Sequence, residues 1–335
     1  MLTAKQACAF ATAWQGKRVG VVGDLMLDRY VWGEATRISQ EAPIPVVSVR
    51  KETARPGGAA NVLNNLSTLG AVPVAFGVAG EDEGGALLCG LLEDLGVETA
   101  GILRDAARPT TEKTRVIAGN QQVVRVDKEV KAPLSSAIED ALVHSVEAGL
   151  RAGRLDAIVL EDYAKGVLMG SVLARVTAAA RAAGVPVMLD PHPANAHCAS
   201  GITLMTPNHN EAFALAGAYL TETRYPIESD DALREVAARI QSRWEVENLL
   251  ITLGAGGMAL YSRGGAPLHV PTRAMEVFDV SGAGDTVITA FTLALLAGAT
   301  PPEAAIVSNH AAGIVVGKVG TVPVHTEELL QSFHE

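Results

Sequence analysis

Through the second half of the chain, short β-branched runs alternate with Ala-rich stretches of helical period. DAIVLED, VPVMLDP, ITLMTPN and LLITLGAGG are the apolar runs, separated by segments such as SVLARVTAAARAA. This alternation predicts an α/β fold with a central, mostly parallel sheet and helices on both faces. RVGVVGD, residues 18–24, is the first strand of the same kind. DRYVWGE and PIPVVSVRK read as strands with no helix between them, and TRVIAGNQQVVRVD reads as a hairpin turning near Gly119-Asn120. These segments, at about 28–50 and 112–127, form a small antiparallel β-lid inserted into one domain spanning 1–335. The N-terminal MLTAKQACAFATAWQGKR fits an amphipathic helix better than a signal peptide, and no later stretch reaches membrane-spanning length.

The polar residues at the strand ends add a site to this picture. Asp24, Asp162, Asp190, Asn208 and Gly254 each follow an apolar run. In open α/β sheets the ligand crevice lies at the carboxyl ends of the strands, so these residues are expected to converge. Any one of them alone is an ordinary turn or N-cap residue. Their recurrence on successive strands is what points to a site.

Composition narrows the ligand. A net charge of −10, with 27 Lys and Arg scattered along the chain, argues against nucleic acid or an anionic membrane and for a small molecule. Cys8, Cys89 and Cys198 fit no disulfide or metal-ligand spacing, consistent with a reducing, cytoplasmic setting.

In DVSGAGDTVITAF, Asp279 to Phe291, an acid follows Gly-Ala-Gly at the start of a helical period carried by Val287, Phe291, Ala294 and Leu295. Alone, Asp285 reads as a first-turn acid that meets free N–H groups and the helix dipole. The flanking Gly282 and Gly284 change that reading, because they let the N–H groups of the turn point together at a phosphate oxygen. A carboxylate beside such an anion site makes sense when its task is to take a proton. Phosphoryl transfer to an alcohol requires that pairing.

DVSGAGD resembles the carboxy-terminal signature of the ribokinase-like (PfkB) carbohydrate kinases. RPGGAANVLNNLSTLGA, Arg55 to Ala71, is similar to their amino-terminal Gly-Gly signature, and TPNHNE, Thr206 to Glu211, to their Asn-x-x-Glu motif. The match covers nearly the whole chain in the family's order. Val280 departs from the Thr commonly found after the first Asp, a difference expected to alter local packing and not mechanism. GDLMLDRYVWG, TRISQEAPIPVV, AGNQQVVRVD and EDYAKG resemble one subgroup, the heptose-phosphate kinases of lipopolysaccharide-core synthesis. Many of that subgroup are fused to a nucleotidyltransferase. With the chain ending at Glu335, an adenylyltransferase partner is expected as a separate protein.

The resemblance implies ATP and Mg²⁺ as cofactors. It implies Asp285 as the base, with Gly282, Ala283 and Gly284 holding the γ-phosphate. Asn208, His209, Asn210 and Glu211 would serve Mg²⁺–ATP, Glu211 through water, while Thr252, Gly254, Gly257 and Asn309 would border the nucleotide. Asp24, Asp28, Gly57, Gly58 and Asn61 fall where the family binds sugar hydroxyls, with Asp162 and Asp190 in second line. A phosphate already on the sugar needs a cation, and Lys165, Arg115 and Arg125 are the candidates. For the two arginines, a solvated lid face is the alternative. For Asn309 the alternative is an ordinary helix core.

GAGGMA, Gly254 to Ala259, matches a dinucleotide fingerprint, but MALYSR leads straight to Gly264-Gly265 and leaves no room for the required helix. It reads as a hairpin. GIVVGKV, Gly313 to Val319, is one residue short of a P-loop and reads as a helix ending at Gly317. These features disfavour a dehydrogenase, and an intact GAGD disfavours a non-catalytic sugar-binding regulator. A kinase for an unphosphorylated sugar or nucleoside stays open. Exposed lid strands need edge protection, and lids of related kinases pair across a dimer, so a homodimer through the lid strands is expected.

Overall fold

The computed structural model describes residues 2–197, 199–273 and 277–334; Cys198 lies outside them. Its strands in chain order are β1 (Arg18–Gly23), β2 (Leu25–Ile38), β3 (Pro45–Gly58), β4 (Val72–Gly80), β5 (Glu98–Asp105), β6 (Thr111–Ala118), β7 (Gln121–Lys128), β8 (Ala157–Glu161), β9 (Val187–Asp190), β10 (Leu204–Met205), β11 (Asn248–Thr252), β12 (Met258–Ser262) and β13 (Leu268–Val270). Nine of them form one sheet in the order β13-β12-β11-β10-β9-β8-β1-β4-β5. From β11 to β5 every pair is parallel. β12 and β13 add an antiparallel edge, because the tight turn after β11 reverses the chain without a crossover.

The parallel strands are apolar on both faces because each face is covered. Val19, Val21, Ala157 and Val159 point into one hydrophobic cluster, while Val22, Ile158 and Leu160 point into the other. The helix Ala59–Thr68 sends Val62, Leu63 and Leu66 into the first cluster, and the helix Ala283–Leu296 sends Val287, Ile288 and Phe291 there too. Each such fully buried side chain contributes about 1.5–3 kcal/mol. Their shared packing brings the N-termini of the two helices together. No helix among the described residues is long and apolar enough to cross a membrane.

The second sheet is the lid, in the order β3-β2-β6-β7. Its outer pairs are antiparallel, but β2 and β6 pair in parallel, which corrects the expectation of an antiparallel lid. β2 follows β1 and β6 follows β5, two strands that run the same way in the main sheet. Both insertions therefore leave its carboxyl edge in one direction and meet side by side.

Candidate active site

Successive parallel strands end next to one another, which sets out the floor of the site. Gly23 is in register with Glu161, and Glu161 with Asp190. Asn208 bridges to Thr252 at the end of β11. Above this floor stands the Gly282 turn. Gly282 has φ +78, a left-handed conformation that costs glycine nothing, and a Cβ there would lie 2.7 Å from Asn61 Nδ2. Glycine is thus required twice, for the turn and for the approach of Asn61. Asp279 holds the turn shut, accepting Ser281 N–H at 2.9 Å and Gly320 N–H at 2.9 Å. Ala283 N–H closes back on Val280 O at 3.2 Å. Val280 is 66% exposed, so the Thr-to-Val departure has little packing to alter, which corrects the expectation of changed local packing.

Asp285 enters the first turn of its helix and is buried, with both carboxylate oxygens held. Asn61 Nδ2 donates to Oδ2 at 2.6 Å, and the Tyr163 hydroxyl donates to Oδ1 at 2.6 Å. Because Asp285 accepts from the amide, the Asn61 orientation is settled, and its buried Oδ1 has no hydrogen-bond partner among the described residues. That oxygen is a ready acceptor for a ligand hydroxyl. Burial raises the Asp285 carboxyl above its ordinary range; Tyr163 and Asn61 pull it back, Asp28 pushes it up, and Lys113 pulls it down. Burial, then the charge of Asp285, pushes the Tyr163 hydroxyl well above its ordinary value, so the ring remains a donor.

An acidic group surrounds this base. Carboxylate oxygens of Glu161, Asp190 and Asp285 all lie within 4.8 Å of one another. Among the described residues, both oxygens of fully buried Glu161 lack a hydrogen-bond partner, whereas Asp190 accepts the Thr206 hydroxyl at 3.2 Å. Burial first, then the neighbouring acids, drives Glu161 and Asp190 well above the usual carboxylate range. Glu161 and Asp190 are hard oxygen donors facing the anion turn. The unsatisfied Glu161 carboxylate, with Asp190 and Asp285 oxygens within 4.8 Å, fits a divalent cation such as Mg²⁺. Glu211 stands beside them electrostatically, but its Oε2 accepts Asn208 N–H at 2.8 Å, and Asn208 Oδ1 accepts Glu211 N–H at 3.0 Å. The Asn-x-x-Glu motif is therefore also the capping box of the helix His209–Leu215.

The remaining nominated residues divide between the site and its scaffold. Asp28 faces Gly57, where a Cβ would lie 2.5 Å from its Oδ2. Gly58 caps the helix that carries Asn61. Asp24 spends its oxygens on the loop after β8, accepting the backbone N–H groups of Tyr163, Lys165 and Val167 at 2.9, 3.0 and 3.2 Å. Asp162 likewise accepts Ala164 N–H and Asn195 Nδ2. Asp24 and Asp162 thus place Tyr163 and Lys165. His209 packs on Phe213 with a ring separation of 4.8 Å, and Asn210 is exposed. Gly254 and Gly257 bound a short turn into β12, so GAGGMA is a hairpin and Thr252 lies at its base. Asn309 is buried and donates to Pro271 O at 2.7 Å, tying its helix to the end of β13. Each nominated cation is already paired: Arg115 with Asp28 at 2.6 Å, Arg125 with Asp127 at 2.8 Å, Lys165 with Glu129 at 2.6 Å.

Sequence reasoning missed Tyr163 and Glu161. EDYAKG held both, but only its second acid and its lysine were singled out. An acid in the last inward position of an apolar run, as in AIVLE, was the available signal for Glu161.

A glycine turn at a helix N-terminus, a hydrogen-bonded carboxylate in its first turn and an acidic floor together suit phosphoryl transfer to a hydroxyl. Comparison with known proteins agrees. The chain is 44% identical over 313 residues to "Bifunctional protein HldE" of Citrifermentans bemidjiense, covering 93% of this chain and 62% of that protein. It is 46% identical over 312 residues to the protein of the same description from Pelobacter propionicus, again 93% and 62%. It thus spans less than two thirds of the length of these relatives. The fold is that of Arabidopsis thaliana ribokinase complexed with ribose and ATP, at TM-score 0.69 and 22% identity over 96% of this chain and 99% of that one. It also matches phosphofructokinase-2 from Escherichia coli in complex with fructose-6-phosphate, at TM-score 0.73 and 19% identity over 96% and 99%. Residues 17–327 match the model of the pfkB family carbohydrate kinases, and the chain belongs to that family.

Proposed function

We propose that this carbohydrate kinase transfers the γ-phosphoryl group of ATP to the anomeric hydroxyl of D-glycero-β-D-manno-heptose 7-phosphate. The product is the 1,7-bisphosphate, which feeds ADP-heptose and lipopolysaccharide inner-core synthesis. The phosphoryl transfer rests on one arrangement above all, the buried Asp285 carboxylate held between Asn61 and Tyr163 at the Gly282 turn. The heptose phosphate rests on likeness to the HldE proteins and on a lid whose inner side is rich in cations.

In this mechanism Asp285 takes the proton of the attacking hydroxyl, and its burial-raised basicity suits it to that step. Asn61 and Tyr163 hold the carboxylate in place, so little reorganisation accompanies the transfer. Asn61 Oδ1 and Asp28 accept sugar hydroxyls. The Gly282–Gly284 turn holds the transferring group at the helix N-terminus. Glu161 and Asp190, with Glu211 through water, would hold Mg²⁺, which supplies neutralising charge to the phosphoryl oxygens. An ADP-coupled assay over sugars and sugar phosphates tests the assignment. Equal turnover of the free heptose and its 7-phosphate would overturn it in favour of a simple sugar kinase.

The same reading places the enzyme in the cytoplasm, with its ATP, as a homodimer. The open edge strand β7 exposes Val124 and Val126, suited to cover by a second lid. Light scattering that gave a monomer mass at micromolar concentration would remove the dimer.

A further inference from the structure

The Gly282 turn is bedded on the loop that follows the helix Pro301–Val316. Phe278 and Asp279, on the segment leading into the turn, donate their N–H groups to Val316 O at 2.8 and 3.3 Å. Asp279 then binds in two directions, accepting Gly320 N–H on Oδ2 and Ser281 N–H on Oδ1, each at 2.9 Å. One carboxylate thus carries the position of the loop to the residue before Gly282. At Gly282 itself a Cβ would lie 3.4 Å from Thr321 Cγ2.

The other side of the same loop is fastened to the lid. Arg55 of β3 donates from Nη1 to Thr321 O at 3.2 Å, and the buried Tyr30 hydroxyl of β2 meets Thr321 Oγ1 at 3.5 Å. The Arg55 guanidinium also lies 5.6 Å from the centre of the Tyr30 ring. Gly320 is buried beneath both side chains, with φ +78; a Cβ there would lie 3.3 Å from Tyr30 Oη and 3.4 Å from Arg55 Nη1. Across the lid, Arg55 stands opposite Asp28 in the β2–β3 register. The path from lid to turn therefore runs Arg55, Thr321, Gly320, Asp279, Ser281, each step a hydrogen bond or a peptide bond. Its first step comes from a guanidinium, so it is stronger than a bond between neutral groups.

On the reading that the sugar sits beneath the lid and the Gly282–Gly284 turn holds the transferring group, we propose that Arg55 is a positioning residue that couples the two substrates. A sugar that seats β2 and β3 fixes Arg55, Arg55 fixes the loop, and the turn then presents its N–H groups to the phosphoryl group in one orientation. Nucleotide affinity rises as a result, and by linkage the nucleotide raises sugar affinity by the same factor. In this role Arg55 touches neither reactant.

Calorimetry with AMPPNP, an ATP analogue that is not hydrolysed, gives the coupling factor as the ratio of its affinities with and without saturating sugar, Mg²⁺ being present in both. The sugar is D-glycero-β-D-manno-heptose 7-phosphate or, should the ADP-coupled assay favour another, that better substrate; the substrate assignment and the role of Arg55 then fail separately. In the wild type the sugar should raise AMPPNP affinity at least about 5-fold, the lower end of ordinary coupling between sites. In Arg55→Met the factor should fall to within about twofold of unity, while affinity for the sugar alone stays within about twofold of wild type. Arg55→Lys, which keeps a cationic donor, should keep most of the coupling. Should Arg55→Met fail to fold, Arg55→Gln, polar but too short to reach Thr321 O, takes its place. A wild type without coupling would overturn the proposal, and so would coupling that persists in the Met or Gln variant. Weakened binding of the sugar alone would overturn it too, by making Arg55 a ligand of the sugar.

Discussion

Replacing Asp285 by Asn isolates proton acceptance from everything else this side chain does. The carboxylate accepts two hydrogen bonds, from Asn61 Nδ2 and from the Tyr163 hydroxyl, each at 2.6 Å. An asparagine can turn its Oδ1 to Asn61 and its Nδ2 to Tyr163, whose hydroxyl can reverse and accept. One hydrogen bond is then exchanged rather than lost, and a buried charge is removed, so the fold should change by no more than about 1 kcal/mol. The rate should respond very differently. An amide cannot take the hydroxyl proton, and a positioned general base is worth ~10²–10⁴ in kcat, or about 2.7–5.5 kcal/mol at 1.36 kcal/mol per tenfold. Steady-state ADP release gives kcat, and calorimetry checks that ATP still binds. The pH profile adds an independent reading: the base works deprotonated, so wild-type activity falls as pH drops through a carboxyl pKa that burial has raised, and that acid limb should vanish in the variant. Turnover within tenfold of wild type, or an intact acid limb, would refute Asp285 as the base.

Two further substitutions probe its surroundings. Glu211→Gln keeps the capping box, since Gln serves at that position, but removes a charge beside Asp190; the Mg²⁺ concentration for half-maximal rate should rise while sugar affinity barely moves, and an unchanged Mg²⁺ titration would exclude Glu211 from the metal's surroundings. Asp162, whose carboxyl is pushed up to about 6 by burial, holds more protons folded than unfolded between its ordinary value and that pH. Its contribution to stability is therefore greatest below pH ~4 and is lost as pH rises toward about 6, by at most about 3 kcal/mol. In Asp162→Asn that slope should disappear from denaturant midpoints measured across the range, and an unaltered slope would count against it.

Much of this arrangement was legible in the sequence because it is written in local signals. Alternation located β2 and β3, Gly119 marked the β6–β7 turn, and Gly282 with the following period located the helix of Asp285. β4 escaped because VPVAFGVAG is apolar throughout, buried on both faces, and carries no period that separates strand from helix, while β5, ETAGILRD, is mostly half-exposed and has only a short apolar run. The parallel pairing of β2 with β6 joins segments more than 80 residues apart, as the 83-residue separation of the Arg29–Glu112 pair shows, and no local pattern encodes it. One functional candidate was lost by a single residue. Reading the strand end at Asp162 passed over Glu161, and a shift of one residue exchanges the two faces of a strand.

The omission of Glu161 has a physical cause, which bears on how the site is built. Glu161 is recognisable only by what its carboxylate lacks, a hydrogen-bond partner among the described residues. A sequence announces residues whose local role is satisfied, such as caps, turns and paired strands, and Asp24, Asp162 and the Asn208–Glu211 box proved to be of that kind. The unsatisfied groups lie one layer further in: an acid on the floor and an amide oxygen on Asn61, arranged around Asp285 and Tyr163. Their chemistry is complementary to a metal and a hydroxyl respectively. Leaving these two groups unsatisfied costs stability, and ligands that meet both at once would offset that cost on binding.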